Sequence, residues 1–207
     1  MIGYFDYTVV LTYMSAACAV CGMCRAAAGD LKTALILLLV CGLLDMLDGP
    51  VARSQKDRTN ERIRYGIQID SLSDLTAFGV FPAVLCFCLC GGSVFSMIAG
   101  AVLAVAALVR LAWFNVTEED RVAVTKEKRK TFTGLPVTSA ALVFPLFSAF
   151  RSRMGTGAFS VGAPMLLLLI AAMFLIRFTL PKPGKKEMCL MGLAGLGTLL
   201  LILFLFA

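Results

Sequence analysis

Residues 75–109 read LTAFGVFPAVLCFCLCGGSVFSMIAGAVLAVAALV, 35 consecutive positions without a charged side chain. A helix needs about 20 apolar residues to cross a bilayer, so the run is too long for one crossing. The Gly91-Gly92 pair near its middle marks a turn between two helices. Two spans are therefore expected, at residues 70–90 and 93–114.

The same pattern recurs on both sides. Further apolar runs occupy residues 8–24, 31–48, 135–150, 155–176 and 188–206. The chain has 207 residues, 59% of them hydrophobic and 15% charged, against about 45–50% and 25% in soluble domains. The expectation is an all-α integral membrane protein: one transmembrane domain over residues 1–207, a multi-span helical bundle of six to eight spans, with seven the best reading. The first run has no basic n-region and no small-residue cleavage site, so it reads as a retained helix and not as a signal peptide.

Charge sets the orientation. Arg53, Lys56, Arg58, Arg62 and Arg64 lie between spans two and three; Arg121, Lys126, Lys128, Arg129 and Lys130 between four and five; Arg177, Lys182, Lys185 and Lys186 between six and seven. The alternate loops hold only Arg25, Lys32, Arg151 and Arg153. Positive loops stay inside, which predicts a cytoplasmic N-terminus. The net charge of +6 then reflects loops facing anionic headgroups, and no nucleic-acid partner is implied. Residues 115–133 form the longest polar connection, with room for a short interfacial helix.

Composition also narrows the chemistry. The chain has no histidine, which removes Ser-His-Asp triads, histidine zinc sites and histidine nucleophiles together. Its eight cysteines lie mostly inside apolar runs, where a thiol packs as a small hydrophobe. The spacing of Cys18, Cys21 and Cys24 lines one helical face, but no matching pair elsewhere completes a metal site. Carboxylate chemistry remains.

Four aspartates carry it. Asp45 and Asp48 stand at i and i+3 near the end of span two, Asp70 and Asp74 at i and i+4 at the start of span three, so each pair shares a helical face. Both pairs flank one cytoplasmic loop and reach similar depth. Ionised groups in apolar helices are costly unless paired, hydrated or metal-bound. Four converging carboxylates are most simply neutralised by Mg2+ or Mn2+, hard cations that bind oxygen ligands beside phosphates. Gly49, Ala52 and Gly66 keep the neighbouring surface narrow, and Arg53 offers a fork of donors to a phosphate. A structural alternative exists, in which Asp48-Gly49-Pro50 ends a helix and the aspartates serve as caps or as partners of the basic loop. Another is an ion path through the membrane, although four carboxylates at one face and the lack of an inverted repeat weigh against a divalent-cation transporter. Ser71 and Ser73, between the second pair, are expected to make only local backbone hydrogen bonds.

The run Asp45-Met-Leu-Asp48-Gly49-Pro-Val-Ala52-Arg53, followed by Gly66-Ile-Gln-Ile-Asp70-Ser-Leu-Ser-Asp74, closely resembles the D-x2-D-G-x2-A-R…G-x3-D-x3-D signature of CDP-alcohol phosphatidyltransferases. The resemblance implies that Asp45, Asp48 and Asp70 hold a divalent metal pair, with Asp74 also at the metals and acting as general base. It implies CDP contacts for Gly49, Ala52, Arg53 and Gly66, and a homodimer. Twelve residues separate Arg53 from Gly66, more than is usual in the family, so an enlarged cytoplasmic loop is expected.

Residues 68–83, 109–116 and 132–137 further resemble the serine-transferring branch, the CDP-diacylglycerol:serine O-phosphatidyltransferases. The similar core covers about residues 33–141, and the N-terminus lacks the Pro-Asn start of the family. Trp113 stands where many serine enzymes carry a further arginine, in Arg110-Leu-Ala-Trp113-Phe-Asn115. The branch implies CDP-diacylglycerol and L-serine as substrates, CMP as product, and a site on the cytoplasmic face of a prokaryotic plasma membrane. Glycerol 3-phosphate and inositol remain rival acceptors. Arg110 is then a candidate for the lipid phosphate or the serine carboxylate, the alternative being an arginine snorkelling to the interface. Asn115 is a substrate contact or a helix-end residue, and Gly134 and Pro136 shape the start of span five.

Overall fold

The computed structural model describes residues 3–55, 59–124, 131–181 and 185–206. Helices lie over all seven apolar runs: α1 (Tyr7–Ala27), α2 (Leu31–Ser54), α3 (Asn60–Asp74) continued by a π-helical turn (Leu75–Val80) and α4 (Phe81–Leu89), α5 (Val94–Val124), α6 (Ala140–Ala149), a one-turn α7 (Arg151–Met154), α8 (Thr156–Leu175) and α9 (Lys185–Leu205). Among the described residues five continuous helices are long and apolar enough to cross a membrane: Tyr7–Ala27, Leu31–Ala52, Asn60–Leu89, Val94–Arg121 and Thr156–Leu175. Val137–Ala149 and Leu190–Leu205 are shorter apolar helices. The fold is thus a predominantly helical membrane bundle.

Local chemistry starts the helices where the sequence changes character. Asp6 caps α1 by accepting from the Thr8 backbone, Asp30 caps α2 through Thr33, and the Thr59 hydroxyl caps α3 through Arg62, each satisfying an orphan backbone donor of the first turn. Gly91 and Gly92, at φ 64° and 78°, make the turn between α4 and α5, a left-handed geometry that glycine adopts without a Cβ penalty.

The structure bears on three sequence readings. Asp48, Gly49 and Pro50 lie inside α2, which runs on to Ser54; Pro50 removes one donor without ending the helix, so the helix-ending alternative does not hold and the motif stays helical. Residues 60–65 belong to α3, so part of the stretch between Arg53 and Gly66 is helical, while residues 56–58 of that connection lie outside the described set. Helix α5 continues to Val124, which places Asn115 well inside it; residues 125–130 of the polar connection lie outside the described set, as do Lys56, Arg58 and Lys182.

Small residues let the helices approach. A Cβ on Gly42 of α2 would stand 2.9 Å from that of Ala141 on α6, and one on Gly100 of α5 would stand 2.9 Å from that of Ala83 on α4; such contacts are how membrane helices pack without a hydrophobic driving force. The interior is filled by Phe78, Phe81, Phe144, Phe159 and Phe174 with Leu35, Leu38, Leu85, Leu103 and Leu167. Cys41, Cys86 and Cys90 are buried in this core, and the cysteines at 18, 21, 24, 41, 86, 88 and 90 are all free thiols. Two three-residue strands, Thr131–Thr133 and Thr179–Pro181, pair antiparallel and tie the segment before α6 to the one after α8.

Candidate active site

Helices α2 and α3 enter the site from a common loop. The fold brings their acidic faces together: Asp45, Asp70 and Asp74 each offer a carboxylate oxygen, and these oxygens lie within 4.8 Å of one another. All three side chains are partly buried. Asp48 sits one helical turn from Asp45 and accepts from the Thr12 hydroxyl of α1 at 3.4 Å. Unneutralised carboxylates at this separation repel, while their hard oxygen donors suit Mg2+ or Mn2+; the residues present fit a divalent ion.

Two cavities border these aspartates. One, of about 150 Å³, is lined by Thr8, Thr12, Asp48, Gly49, Ala52, Gly66 and Asp70, with Val9, Ile63 and Ile67. It therefore gathers Gly49, Ala52 and Gly66, three residues expected to admit the nucleotide, against two of the aspartates. The other, of about 420 Å³, is an apolar groove between α2, α6 and α9 whose walls include Ile36, Leu39, Leu43, Leu142 and Leu196, and among the described residues Asp45 is the one ionisable side chain on it. Carboxylates of the site thus border both a cavity that carries the polar groups of Thr8 and Thr12 and an apolar groove. Arg53 lies on α2, and its side chain falls outside the described set.

Arg110 and Asn115 occupy the α5 wall. Asn115 exchanges hydrogen bonds with Ser71 of α3, its amide nitrogen donating at 2.9 Å and its oxygen accepting at 3.1 Å. Further along, a Cβ on Gly79 would approach Ala107 to 3.0 Å. These two contacts fix an antiparallel register in which Asp74 lies opposite Ala112, so Arg110 sits only about 3 Å along the axis from that level. Arg110 is 8% exposed and so lies within the bundle. Gly134, at φ 75°, lets the Arg110 guanidinium and the Ile176 carbonyl close in: a Cβ there would stand 3.0 Å from Arg110 Nη1 and 3.0 Å from the Ile176 oxygen. Arg177 stacks over Trp113, its Cζ 5.5 Å from the ring centroid. Pro136 caps the 3₁₀ turn (Val137–Ser139) that starts the α6 segment.

Several contacts were invisible to sequence reasoning. Thr8 and Thr12 are buried polar residues on α1, a face that reads as ordinary threonine in an apolar run; their four-residue spacing was the only signal. Ser71 and Ser73 make long-range bonds, Ser73 to the Thr12 carbonyl at 3.1 Å, in place of the local ones expected. Tyr4 packs edge-on against Tyr65 at 5.2 Å, Tyr13 shares a hydrogen bond of 2.9 Å with Tyr65, and Arg62 lies 5.3 Å above Tyr4. These contacts fasten the residues before α1 to the N-terminal half of α3.

Comparison with known proteins agrees with this geometry. The chain is 32% identical over 143 residues to an archaetidylserine synthase of Methanothermobacter thermautotrophicus, covering 68% of this chain and 57% of the relative. It is 39% identical over 121 residues to a CDP-diacylglycerol--serine O-phosphatidyltransferase of Saccharomyces cerevisiae, 58% of this chain and 42% of the relative. With the enzyme of that name from Helicobacter pylori it shares 32% over 112 residues, 53% and 43% of the two chains. The chain thus spans about half the length of these curated relatives. The family model described as CDP-alcohol phosphatidyltransferase matches residues 7–204, nearly the whole bundle and all four aspartates, and the chain belongs to that family.

Proposed function

We propose that this protein transfers the phosphatidyl group of CDP-diacylglycerol to the hydroxyl of L-serine, giving phosphatidylserine and CMP. The observation that carries the reading is that carboxylates of the site border both a cavity lined by Gly49, Ala52 and Gly66 and an apolar groove that ends on Asp45. A donor with a nucleotide head and acyl tails spans such a junction with its pyrophosphate at the aspartates. The three relatives named above all transfer to serine by their names, which favours serine over glycerol 3-phosphate or inositol.

In this reading the serine oxygen attacks the β-phosphorus, a new P–O bond forms, and the bond to CMP breaks on the opposite side. Asp74 takes the hydroxyl proton. Asp45, Asp48, Asp70 and Asp74 would hold Mg2+ or Mn2+, which when bound supplies positive charge to the pyrophosphate and to the charge developing on the leaving phosphate. Arg110, near the level of Asp74, binds the serine carboxylate. Its burial strengthens that contact, because a charged hydrogen bond gains in a low-dielectric site. Arg53 reaches the donor phosphates.

The same reading includes seven crossings over the expected spans, a site at the cytoplasmic face of the plasma membrane, and a homodimer, the last by family resemblance. Purified protein given CDP-diacylglycerol with serine, glycerol 3-phosphate or inositol tests it by CMP release. Release chiefly with serine is expected; dominant release with another alcohol overturns the acceptor assignment, and metal flux in proteoliposomes without CMP release overturns the transferase reading.

A further inference from the structure

Successive helical residues are about 100° apart in azimuth. Asp70 and Asp74 therefore share one face of α3, Ser71 and Ser73 lie about 80° to either side of it, and Leu72 lies opposite. The surroundings match this wheel. Leu72 is 60% exposed, whereas Ser73 is 5% exposed. Ser71 bonds to Asn115 of α5 at 2.9 and 3.1 Å, and Ser73 donates to the Thr12 carbonyl of α1 at 3.1 Å. The two serines are thus tied in opposite directions, each to a different neighbouring helix, with the carboxylate face between them.

We infer that Ser71 and Ser73 are positioning residues that lock the rotation of α3, with Asn115 and the Thr12 carbonyl as their anchors, so that Asp70 and Asp74 face Asp45. Immediately after Asp74 the helix widens into the π turn Leu75–Val80, where the Phe81 N–H bonds back to the Thr76 carbonyl. The extra residue of a π turn changes the azimuth between α4 and α3, and the two serine ties hold α3 at that setting. Ligand constellations tolerate only about 10–20° of misorientation, and ties on both flanks resist rotation in both senses. Asn115 bonds Ser71 through both its amide oxygen and its amide nitrogen, which makes it the anchor of that tie.

The inference rests on the metal reading proposed above, and its test reads metal binding directly. Mn2+ is titrated into purified wild-type protein and variants in detergent, and free Mn2+ is followed by electron paramagnetic resonance. S71A, S73A and N115A are expected to bind about tenfold more weakly, the lower end of the effect of residues that orient ligands. The S71A/N115A double variant should be no weaker than either single, because one tie is lost in each case, while L72A on the opposite face should bind as wild type. S71T and S73T retain the hydroxyl and should stay within about threefold of wild type, and should fold even where the alanine variants do not. Equal Mn2+ affinity in wild type, S71A and S73A overturns the inference, as do additive losses in S71A/N115A or threonine variants as impaired as the alanine ones. Absence of Mn2+ binding by the wild type overturns the metal reading itself and this inference with it.

Discussion

Gly134 and Arg110 meet so closely that a Cβ on the glycine would stand 3.0 Å from Arg110 Nη1 and 3.3 Å from its Cζ. The guanidinium of α5 owes its position to a missing side chain on the segment that leads into α6. Gly134→Ala should therefore displace Arg110 and also strain a backbone held at φ 75°, at about 1–2 kcal/mol. The expected outcome is a KM for serine raised about tenfold, with the KM for CDP-diacylglycerol little changed. Steady-state kinetics with each substrate varied in turn checks this, and an equal rise for both would remove Arg110 from serine binding.

Asp70→Asn should abolish turnover while the protein still inserts and folds, since the amide removes one charged ligand from a cluster whose oxygens lie within 4.8 Å. Asp74→Asn should do the same by removing the proposed base. A loss of at least about a thousandfold in kcat is expected, comparable to loss of charge stabilisation plus a general base. Chelation of divalent ions should silence the wild type, and added Mg2+ or Mn2+ should restore it. Retained activity in well-folded Asp70→Asn would exclude Asp70 as an essential ligand.

Gly195 lines the apolar groove, and a Cβ there would meet nothing within 4 Å. Gly195→Leu should consequently narrow the groove, its Cβ entering open space. If an acyl chain of the donor lies there, the KM for long-chain CDP-diacylglycerol rises several-fold, by about one buried side chain's worth of apolar contact, while a water-soluble short-chain donor is turned over as before. Identical kinetics with both donors would separate the groove from the reaction.

Asp30 caps α2 outside the membrane-spanning segments, and its hydrogen bonds from Thr33, side chain first and then backbone, hold its carboxyl below the usual value of 3.8, with Arg25 adding to the effect. The depressed value means that the ionised form stabilises the fold. The contribution is fully present above the ordinary aspartate value and fades as pH falls through the lower folded one. Thermal melts of wild type and Asp30→Asn should therefore differ at pH 7 and converge as pH falls through the depressed value of the folded carboxyl. A difference that persisted undiminished in acid would assign the effect to packing.

Much of the site was legible because its information is local. The i,i+3 and i,i+4 spacings put Asp45 with Asp48 and Asp70 with Asp74 on shared faces, whatever the helices pack against. The apolar runs marked the helices because a bilayer demands length and continuity. Helix ends were less legible: α2, α3 and α5 extend beyond the apolar stretches, since capping by Thr59 and continued backbone hydrogen bonding do not require an apolar side chain. The role of Ser71 was hidden for another reason, as nothing near residue 71 announces a partner at residue 115.

The sequence by itself therefore determined the membrane-helical class, the four carboxylates and the small residues beside them, all properties of composition and short-range periodicity. Only the tertiary structure decided which oxygens converge, that Arg110 is buried near the level of Asp74, and that an apolar groove ends on Asp45. Those relations depend on the register and rotation of helices packed side by side. Register and rotation are set by contacts such as Ser71 with Asn115, Ser73 with Thr12 and Gly134 with Arg110, between residues that chain order keeps far apart.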